Sequence, residues 1–322
     1  MPLRDPIRLG RERLDSSYLY LVRGVWKRLP ASFRLGPMGQ LYGRHLHALV
    51  RRHAVRSQSF GTFFLRNRPE LELMRGLADR HTHGDCLAIA VLACSKGAEV
   101  YSMTWAIRSA RPDVKLDVCA LDTSREILSC AEQGVYSRQD PDVLDQTNHS
   151  DVMAQRDVAG TTWRDQIASM FERLTDEEIE ELFNVDGDLL SVKPWLKEGI
   201  GWLHGDAGDP GVIDMMGPRD IVVANRFLCH MEPATAERCL RNIARLVKPG
   251  GYLFVSGIDL DVRTRVARAL RWTPVTHLIR EIHEGDISLR RGWPLQYWGL
   301  EPLRDNLSDW MIRYASVFQV NY

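Results

Sequence analysis

A short turn between two apolar segments carries the first residues that could do chemistry. Residues 93–102 read Ala-Cys-Ser-Lys-Gly-Ala-Glu-Val-Tyr-Ser, so small residues and Gly97 directly precede a stretch with helical character. A glycine before a helix lets a ligand approach the backbone amides closely. The spacing is neither the Gly-x-Gly-x-x-Gly of dinucleotide folds nor the phosphate-binding Gly-x-x-x-x-Gly-Lys-[Ser/Thr]. The turn therefore indicates a ligand site that does not require phosphate groups.

An acidic side chain ends the next apolar segment. Asp122 follows Gly97 by about 25 residues, and a carboxylate at the end of a second strand can accept hydrogen bonds from both hydroxyls of a ribose. This position predicts a nucleoside ligand. The alternative is that Asp122 only helps to cap the helix that starts at Ser124.

The segments around these residues alternate between strands and helices. The nearly continuous apolar run at 85–94 is typical of a parallel strand covered on both faces, and further strands are predicted at 116–122, 201–204, 220–224 and 251–256. Helical segments are predicted at 69–80, 98–110, 124–133 and 234–247. Ser124 suits the N-cap of the third of these helices, and Gly134 suits its end. This order predicts a doubly wound α/β sheet, which kinases, dehydrogenases and methyltransferases share.

Two regions do not fit this alternation. Residues 1–60 are rich in Arg and predict a basic N-terminal helical subdomain, which leaves 61–322 for the α/β domain. Residues from about 137 to 199 predict a helical insertion, because apolar residues recur at helical spacing over 162–183 and 175–178 resembles a capping box. The insertion follows the carboxyl end of a strand, so it is either a substrate lid or a purely structural element.

The end of the chain suggests one more strand. Residues 310–322 are rich in β-forming side chains, which predicts an edge strand that closes the sheet.

Composition limits the class of protein. The 322 residues include 42 Lys and Arg against 42 Asp and Glu, so no global field for nucleic acid or membranes is expected. The 6 cysteines form no Cys-x-x-Cys pair, which fits a reducing, cytoplasmic location. No apolar run approaches the roughly 18 residues of a membrane span. The His and acidic residues of 277–286 lack a metal-binding register, so no metal site is predicted.

A series of sequence blocks shares its order with a known family. The blocks are Thr62-Phe-Phe-Leu-Arg66, Ser95-Lys-Gly-Ala-Glu-Val-Tyr-Ser102, Leu121-Asp122 with Gly134-Val-Tyr136, the segment 220–231, and Val247-Lys-Pro-Gly-Gly-Tyr-Leu-Phe254. They resemble motifs of the CheR-type family of S-adenosylmethionine-dependent methyltransferases, which esterify glutamate side chains of bacterial chemoreceptors. The resemblance implies a Rossmann-like class I methyltransferase sheet, here with an N-terminal helical cap and a helical insertion. It also implies S-adenosylmethionine as the cofactor.

The resemblance further implies which residues bind this cofactor. Carried over block by block, they are Thr62, Arg66, Ser95, Gly97, Glu99, Asp122, Asn225 and Arg226, with Asp206 and Ala207 beside the adenine. The acid that the spacing had already assigned to a ribose is the same Asp122.

The chain departs from the family pattern at several positions. Phe60 stands where the family has Asn, Ala98 replaces the first of two acids, and Asn225-Arg226 reverses an Arg-Asn pair. His230 stands where the family places a Tyr close to the transferred methyl group. No clear equivalent of the family's small receptor-docking β-subdomain is found, and the helical insertion takes its place. These departures predict a changed acceptor.

His230 and Arg226 are the predicted catalytic residues. In methyl transfer from a sulfonium, the nucleophile must lie about 3 Å from the methyl carbon on the face opposite sulfur. A carboxylate acceptor needs no base, whereas a hydroxyl or a protonated amine must lose a proton, a task that suits an imidazole. We therefore predict that His230 orients the acceptor or acts as base, and that Arg226 binds an anionic part of it. Alternatively, His230 is a structural histidine at the end of a buried strand.

Three functions remain open at this point. The first is methyl transfer to an O or N nucleophile of a small-molecule acceptor, favoured by the changed residues, the insertion and the missing docking element. The second is CheR-like protein-glutamate O-methylation, favoured by basic N-terminal helices that suit an acidic protein segment. The third is a catalytically inactive S-adenosylmethionine-binding module, against which the presence of Glu99 and Asp122 argues.

Overall fold

The computed structural model describes residues 18–53 except 19, 20, 23 and 27, residues 61–80, 84–138 and 170–286, and residues 293–321 except 296 and 298. The first part of the predicted basic subdomain, 1–17, and about half of the predicted insertion, 139–169, lie outside these residues.

The described residues form strands and helices in alternation. The strands are β1 (Cys86–Leu92), β2 (Lys115–Asp122), β3 (Val135–Ser137), β4 (Phe183–Asp186), β5 (Leu189–Val192), β6 (Ile200–His204), β7 (Arg219–Val223), β8 (Val247–Phe254), β9 (Thr273–Pro274) and β10 (Val317–Gln319). The helices are α1 (Ala31–Leu35), α2 (Pro37–His53), α3 (Arg68–Ala78), α4 (Ala98–Ala110), α5 (Arg125–Gln133), α6 (Asp176–Leu182), α7 (Pro194–Lys197), α8 (Pro210–Met216), α9 (Pro233–Ala244), α10 (Leu260–Ala269), α11 (Ile279–Gly285) and α12 (Trp310–Tyr314), with a 3₁₀ helix at Leu228–His230. None of these helices combines the length and apolar composition needed to cross a bilayer.

A seven-stranded sheet in the order β6-β2-β1-β7-β8-β10-β9 is the centre of the fold. β1 pairs in parallel with β2 on one side and with β7 on the other, and β10 runs antiparallel to both β8 and β9. The sheet therefore grows outward from β1 in both directions, and the strand order reverses between β1 and β7. This architecture confirms the predicted Rossmann-like α/β class.

Apolar side chains cover the sheet on both faces. Along β1, Ala90 and Leu92 belong to the apolar core on one face, while Ile89 and Val91 belong to the core on the other. Alternate residues of a strand point to opposite faces, so a continuous apolar run is what a strand buried on both faces requires. This is why the sequence of β1 marked it as a central strand.

The turns at the carboxyl ends of the first two strands follow the predicted chemistry. Gly97 lies at the N-terminus of α4 with φ +84°, a left-handed conformation that glycine adopts without steric cost. Ser124 caps α5 by accepting a hydrogen bond from the backbone N–H of Ile127, and Gly134 ends that helix with φ +57°. These local signals set where both helices begin.

Part of the region predicted as a helical insertion is a small β-sheet. β5 pairs antiparallel with both β3 and β4, which forms a three-stranded sheet. α6 has the predicted capping box at Thr175 but ends at Leu182, and Phe183 starts a strand. The expectation of helix at the end of 162–183, and of a helical segment replacing a β-subdomain, is thus wrong for 183–192. β4 pairs with its near neighbour β5, and β5 pairs in turn with β3 about fifty residues earlier, so strand pairing overrides the local helical spacing here.

The C-terminal strand is not at the edge of the sheet. β10 pairs with β8 through Val317–Gln319 and with β9 through its other side, so β9 is the edge strand. The short β9 contains a proline. Proline has no backbone N–H to donate to a neighbouring strand, so within sheets it is found mainly on edge strands. The prediction of a strand is confirmed, and the prediction of its edge position is wrong.

The N-terminal helices pack against the C-terminal part of the chain. Trp26 and Leu46 form a buried cluster with Leu295, and the rings of Trp26 and Trp293 meet edge to face at 6.1 Å. On α2, Gly43 lies so close to Trp293 that a Cβ atom there would come within 2.3 Å of the indole. The helical cap is thereby attached to the α/β domain by aromatic packing.

Candidate functional site

A cavity of about 410 Å³ lies at the carboxyl ends of β1, β2, β6 and β7. This is the point where the strand order of the sheet reverses, and open α/β sheets bind their ligands in the crevice at such a point. The volume is in the range of sites that hold one small organic ligand. Ten of the predicted site residues line the cavity, namely Thr62, Arg66, Ser95, Glu99, Asp122, Asp206, Ala207, Asn225, Arg226 and His230.

Gly97 is the one predicted site residue that does not line the cavity. A Cβ atom at this position would lie 3.2 Å from the side chains of Ala131, Trp202 and Tyr101. Gly97 is therefore enclosed by its neighbours behind the turn. Its observed contribution is to let the turn after β1 pass close to β6 and α5.

The remaining wall residues were missed by sequence reasoning. They are Gly61, Ala93, Cys94, Leu121, Thr123, Gly205, Phe227 and Met231. Most of them directly adjoin a predicted residue, so the ends of the strands already marked their neighbourhood. What the sequence does not show is which neighbours turn toward the cavity.

Left-handed backbone is concentrated around the cavity. Ala93 and Ser95 after β1 have φ of +53° and +51°, and Arg226 after β7 has φ of +64°. Such conformations are uncommon for residues other than glycine and are found preferentially at functional sites. Gly257 makes the conformation of Arg226 possible, because a Cβ atom there would lie 2.6 Å from the Arg226 Cα atom.

Asp122 joins the two turns that form the floor of the cavity. Its side chain is only 4% exposed, and Oδ2 accepts a hydrogen bond from the Ser95 backbone N–H at 2.8 Å. Oδ1 accepts one from the Ser124 backbone N–H at 3.1 Å. The N-cap of α5 is Ser124 rather than Asp122. Since each carboxylate oxygen can accept more than one hydrogen bond, Asp122 can also receive hydroxyl groups from a ligand in the cavity it lines.

Asn225 is held by four hydrogen bonds. Its Nδ2 donates to Glu70 Oε1 at 2.6 Å and to Glu99 Oε1 at 2.8 Å. Its Oδ1 accepts from the backbone N–H of Ser256 at 3.0 Å and from the Ser256 hydroxyl at 2.8 Å. Two donors and two acceptor positions are all that a carboxamide has. Asn225 thus contributes to the site mainly through the groups that it holds.

The charged groups around Asn225 influence one another. Burial raises the pKa of Glu99, against the opposing effect of its hydrogen bond to Asn225 and of the nearby Arg66 and Arg226. Burial also raises the pKa of Glu70, to about 8, and the charge of Glu99 adds to this rise. Burial, together with Arg226, lowers the pKa of Arg66 to about 10. This value is still well above 7, so the guanidinium is charged at neutral pH.

Arg226 forms an ion pair that the sequence did not indicate. Its Nη1 donates to Asp286 Oδ2, and both side chains are mostly buried. Asp286 directly follows α11 and belongs to the polar segment 277–286. Nearby, His283 Nε2 lies 2.7 Å from the carbonyl oxygen of Glu301, and burial lowers the pKa of His283 to about 4. Among the residues that the structure describes, no group of three or more His, Cys, Asp and Glu is arranged to hold a metal ion.

His230 is the last residue of the 3₁₀ helix that follows β7. Its backbone N–H donates to the carbonyl of Phe227 at 3.0 Å, which closes this turn. Its side chain is partly exposed and lines the cavity together with Phe227 and Met231. His230 and the two acids Glu99 and Asp122 therefore line the same cavity.

This arrangement combines opposite charges within one cavity. Glu99 and Asp122 offer acceptors for a cation and for hydroxyl groups, while Arg66 and Arg226 offer positive charge to an anion. A zwitterionic nucleoside derivative has this combination of groups.

Comparisons with known proteins agree with the fold and the cavity. Residues 61–172 match the family described as CheR methyltransferase, SAM binding domain, and residues 181–255 match a family described as methyltransferase domain. A curated relative from Pseudomonas aeruginosa, the probable biofilm formation methyltransferase WspC, is 21% identical over 202 residues, or 62% of this chain and 41% of the relative. The matched part is thus less than half the length of that protein.

Solved methyltransferase structures resemble the chain more weakly in sequence. An O-methyltransferase family protein from Burkholderia thailandensis is 14% identical, with 76% of this chain and 51% of that chain covered and a TM-score of 0.32. Magnesium protoporphyrin IX methyltransferase from Synechocystis is 12% identical, with 73% and 86% covered and a TM-score of 0.32.

The family matches are consistent with the strand order and with the cavity at the reversal point. Both family matches are to methyltransferases, and the first is specifically to the part that binds S-adenosylmethionine. The chain is therefore similar to S-adenosylmethionine-dependent methyltransferases in two successive regions, and the first of these regions resembles the CheR type.

Proposed function

We propose that this chain transfers the methyl group of S-adenosylmethionine to an oxygen or nitrogen nucleophile of a small-molecule acceptor, with His230 as orienter or base. The observation that carries the proposal is the place of His230, which lines the same cavity as Glu99 and Asp122. A carboxylate acceptor would need no base, whereas a hydroxyl or an ammonium group would. An imidazole at the position of the family's tyrosine supports an acceptor of the second kind.

The wall residues divide between cofactor and acceptor in this proposal. Glu99 pairs with the ammonium group of the cofactor, Arg66 with its carboxylate, and Asp122 with its ribose hydroxyls. Asp206 and Ala207, between β6 and α8, flank the adenine. The bound cofactor supplies a methyl group on a sulfonium, which makes that carbon electrophilic.

On the acceptor side, His230 and Arg226 lie on the wall that follows β7. His230 accepts the proton that a hydroxyl or an ammonium group must lose, or holds that group in line with the methyl carbon. Asp286 fixes the guanidinium of Arg226, which presents its charge to an anionic part of the acceptor.

The test measures S-adenosylhomocysteine formation with a panel of phenols, alcohols, amines and carboxylic acids. If His230 is the base, His230→Ala and His230→Asn each lower kcat by a factor of about 100 or more, with an unchanged affinity for S-adenosylhomocysteine. If it only orients the acceptor, His230→Asn keeps much of the rate. The exposed His277, outside the cavity wall, provides the control His277→Ala. Unchanged turnover in His230→Ala would remove the proposed role.

A second candidate function, O-methylation of glutamate in a protein, is favoured by the three-stranded sheet. This sheet stands where sequence reasoning expected no β-subdomain, and it exposes Val135, Val185 and Leu189. Exposed apolar side chains on a small sheet suit contact with another polypeptide. Base-labile methyl groups on glutamate-rich peptides, with no product from the small-molecule panel, would establish this function instead. S-adenosylhomocysteine binding without turnover in either assay would leave the inactive binding module.

A further inference from the structure

A buried acid next to the cavity has no place in the functions considered so far. Glu70 lies in the first turn of α3, is 7% exposed and does not line the cavity. Its carboxylate accepts a hydrogen bond from Asn225 Nδ2, the atom that also donates to Glu99. One amide nitrogen thus connects an acid in the wall with an acid behind it.

The geometry of the amide makes this connection directional. Ser256 donates twice to Asn225 Oδ1, so the carboxamide cannot turn round without losing both bonds. Nδ2 must then face the carboxyl groups of Glu70 and Glu99, and each of these groups accepts a hydrogen bond from one of its two N–H groups. Without Glu70, one N–H of a mostly buried amide would lack its partner, which destabilises this orientation.

The charges around Glu70 make the two acids unequal. The charged groups that act on Glu70 are Arg66 before α3, Glu99 on α4 and Asp286 after α11. Burial raises the pKa of Glu70 to about 8, with a further contribution from Glu99. Burial also raises the pKa of Glu99, but Arg66 and Arg226 both oppose this rise and favour its charged form.

We propose that Glu70 is a positioning residue for the cofactor, which holds Glu99 through the Asn225 carboxamide where its carboxylate meets the ammonium group of S-adenosylmethionine. The proposal rests on the assignment of Glu99 to the cofactor under the proposed function. It adds that a second acid, from a helix outside the cavity wall, sets the orientation of the first.

The test is a set of binding measurements with S-adenosylhomocysteine, which carries the same ammonium group. Calorimetry is applied to the whole chain with Glu70→Gln, Glu70→Asp, Glu70→Leu and Glu99→Gln. Glu70→Gln keeps a neutral acceptor at the same reach and is expected to bind within about twofold of the unchanged protein. Glu70→Leu leaves the amide unpaired and is expected to lose about tenfold. Glu70→Asp withdraws the carboxyl group by one methylene and is expected to lose about fivefold.

The decisive measurement combines two substitutions. If Glu70 acts through Glu99, Glu70→Leu has no further effect on affinity once Glu99→Gln is present, because residues in one network are not additive. A purely structural role would give the same loss in both backgrounds and would overturn the proposal. Wild-type affinity of both Glu70→Leu and Glu70→Asp would overturn it too.

Two controls keep the outcomes distinguishable. The first control uses Glu72, an exposed acid two residues after Glu70 on the same helix. Glu72→Asp and Glu72→Leu are expected to bind S-adenosylhomocysteine as the unchanged protein does. Should Glu70→Leu fail to fold in a thermal melt, Glu70→Asp against Glu72→Asp decides. If the unchanged protein binds no S-adenosylhomocysteine, the cofactor site itself fails; if it binds and Glu99→Gln binds equally well, only the assignment of Glu99 and the positioning role fail.

Discussion

Replacement of Glu70 by Gln is expected to change how the stability of the protein depends on pH. Folding raises the pKa of this carboxyl group from 4.5 to about 8, mainly through burial. The folded protein therefore keeps a proton that the unfolded chain releases between these two values. The bound proton therefore stabilises the folded protein. This stabilisation is fully present below about pH 4.5, is lost as the pH rises toward 8, and changes little above that pH.

The size of the effect follows from the shift. One pKa unit corresponds to about 1.4 kcal/mol, so the free energy of unfolding falls by up to about 5 kcal/mol between these pH values through Glu70 alone. Glutamine does not titrate, so the free energy of unfolding of Glu70→Gln does not fall in this way as the pH rises. In a chain of this size, 1 kcal/mol of unfolding free energy shifts Tm by about 2 °C. We therefore expect the Tm of Glu70→Gln, relative to that of the unchanged protein, to rise by up to about 10 °C between pH 5 and pH 8.

Thermal unfolding of both proteins at half-unit pH intervals measures this difference. Glu72→Gln is the matched control, since Glu72 is an acid on the same helix whose side chain is 53% exposed, and its curve should run parallel to that of the unchanged protein. Parallel curves for Glu70→Gln and the unchanged protein would refute the reasoning, because they would show that Glu70 titrates alike in both states.

Two further substitutions test the floor of the cavity and the packing behind it. Asp122→Asn places an amide against two backbone N–H groups and removes the acceptor for a ribose, so affinity for S-adenosylhomocysteine should fall at least about tenfold in calorimetry, whereas Asp117→Asn, on an exposed part of β2, should leave it unchanged. Full affinity in Asp122→Asn would take this acid out of the ribose site. Phe64→Ala removes a fully buried ring that lies 5.0 to 5.7 Å from three other aromatic rings, and urea unfolding should show a loss of about 3–5 kcal/mol. The exposed Phe33→Ala should cost no more than about 0.5 kcal/mol, and equal losses for both would contradict the packing argument.

The central sheet was predictable because its signals are local. The run of apolar residues in β1, the glycine at the start of α4 and the Ser124 cap each act within a few residues of where they stand. Alternation of such segments leaves few ways to arrange them, since parallel strands need helical connections between them. The position of Asp122 at a strand end followed from the same local signals.

The small sheet was not predictable in this way. Phe183 continues an apolar spacing that suits a helix, yet it starts β4, which pairs with β5 through Phe183 and Val192. β5 also pairs with β3, where Leu190 lies opposite Tyr136. Tyr136 lies almost fifty residues before Phe183 in the chain, so no local window shows that β3 completes this sheet. The position of β10 inside the sheet depended likewise on β9, which is only two residues long.

The sequence by itself determined the strands of the central sheet apart from β9, the starts of α4 and α5, and most of the polar side chains at the ends of the strands, because local spacing encodes them, while the resemblance of its motifs to a family indicated the cofactor. Only the tertiary structure distinguished Glu70 from Glu72, two acids in the first turns of the same helix. One is buried against Asn225 and the other is exposed to solvent. The difference in their burial and in their partners arises from what packs against α3, and burial and charge proximity are properties of the folded chain rather than of any segment.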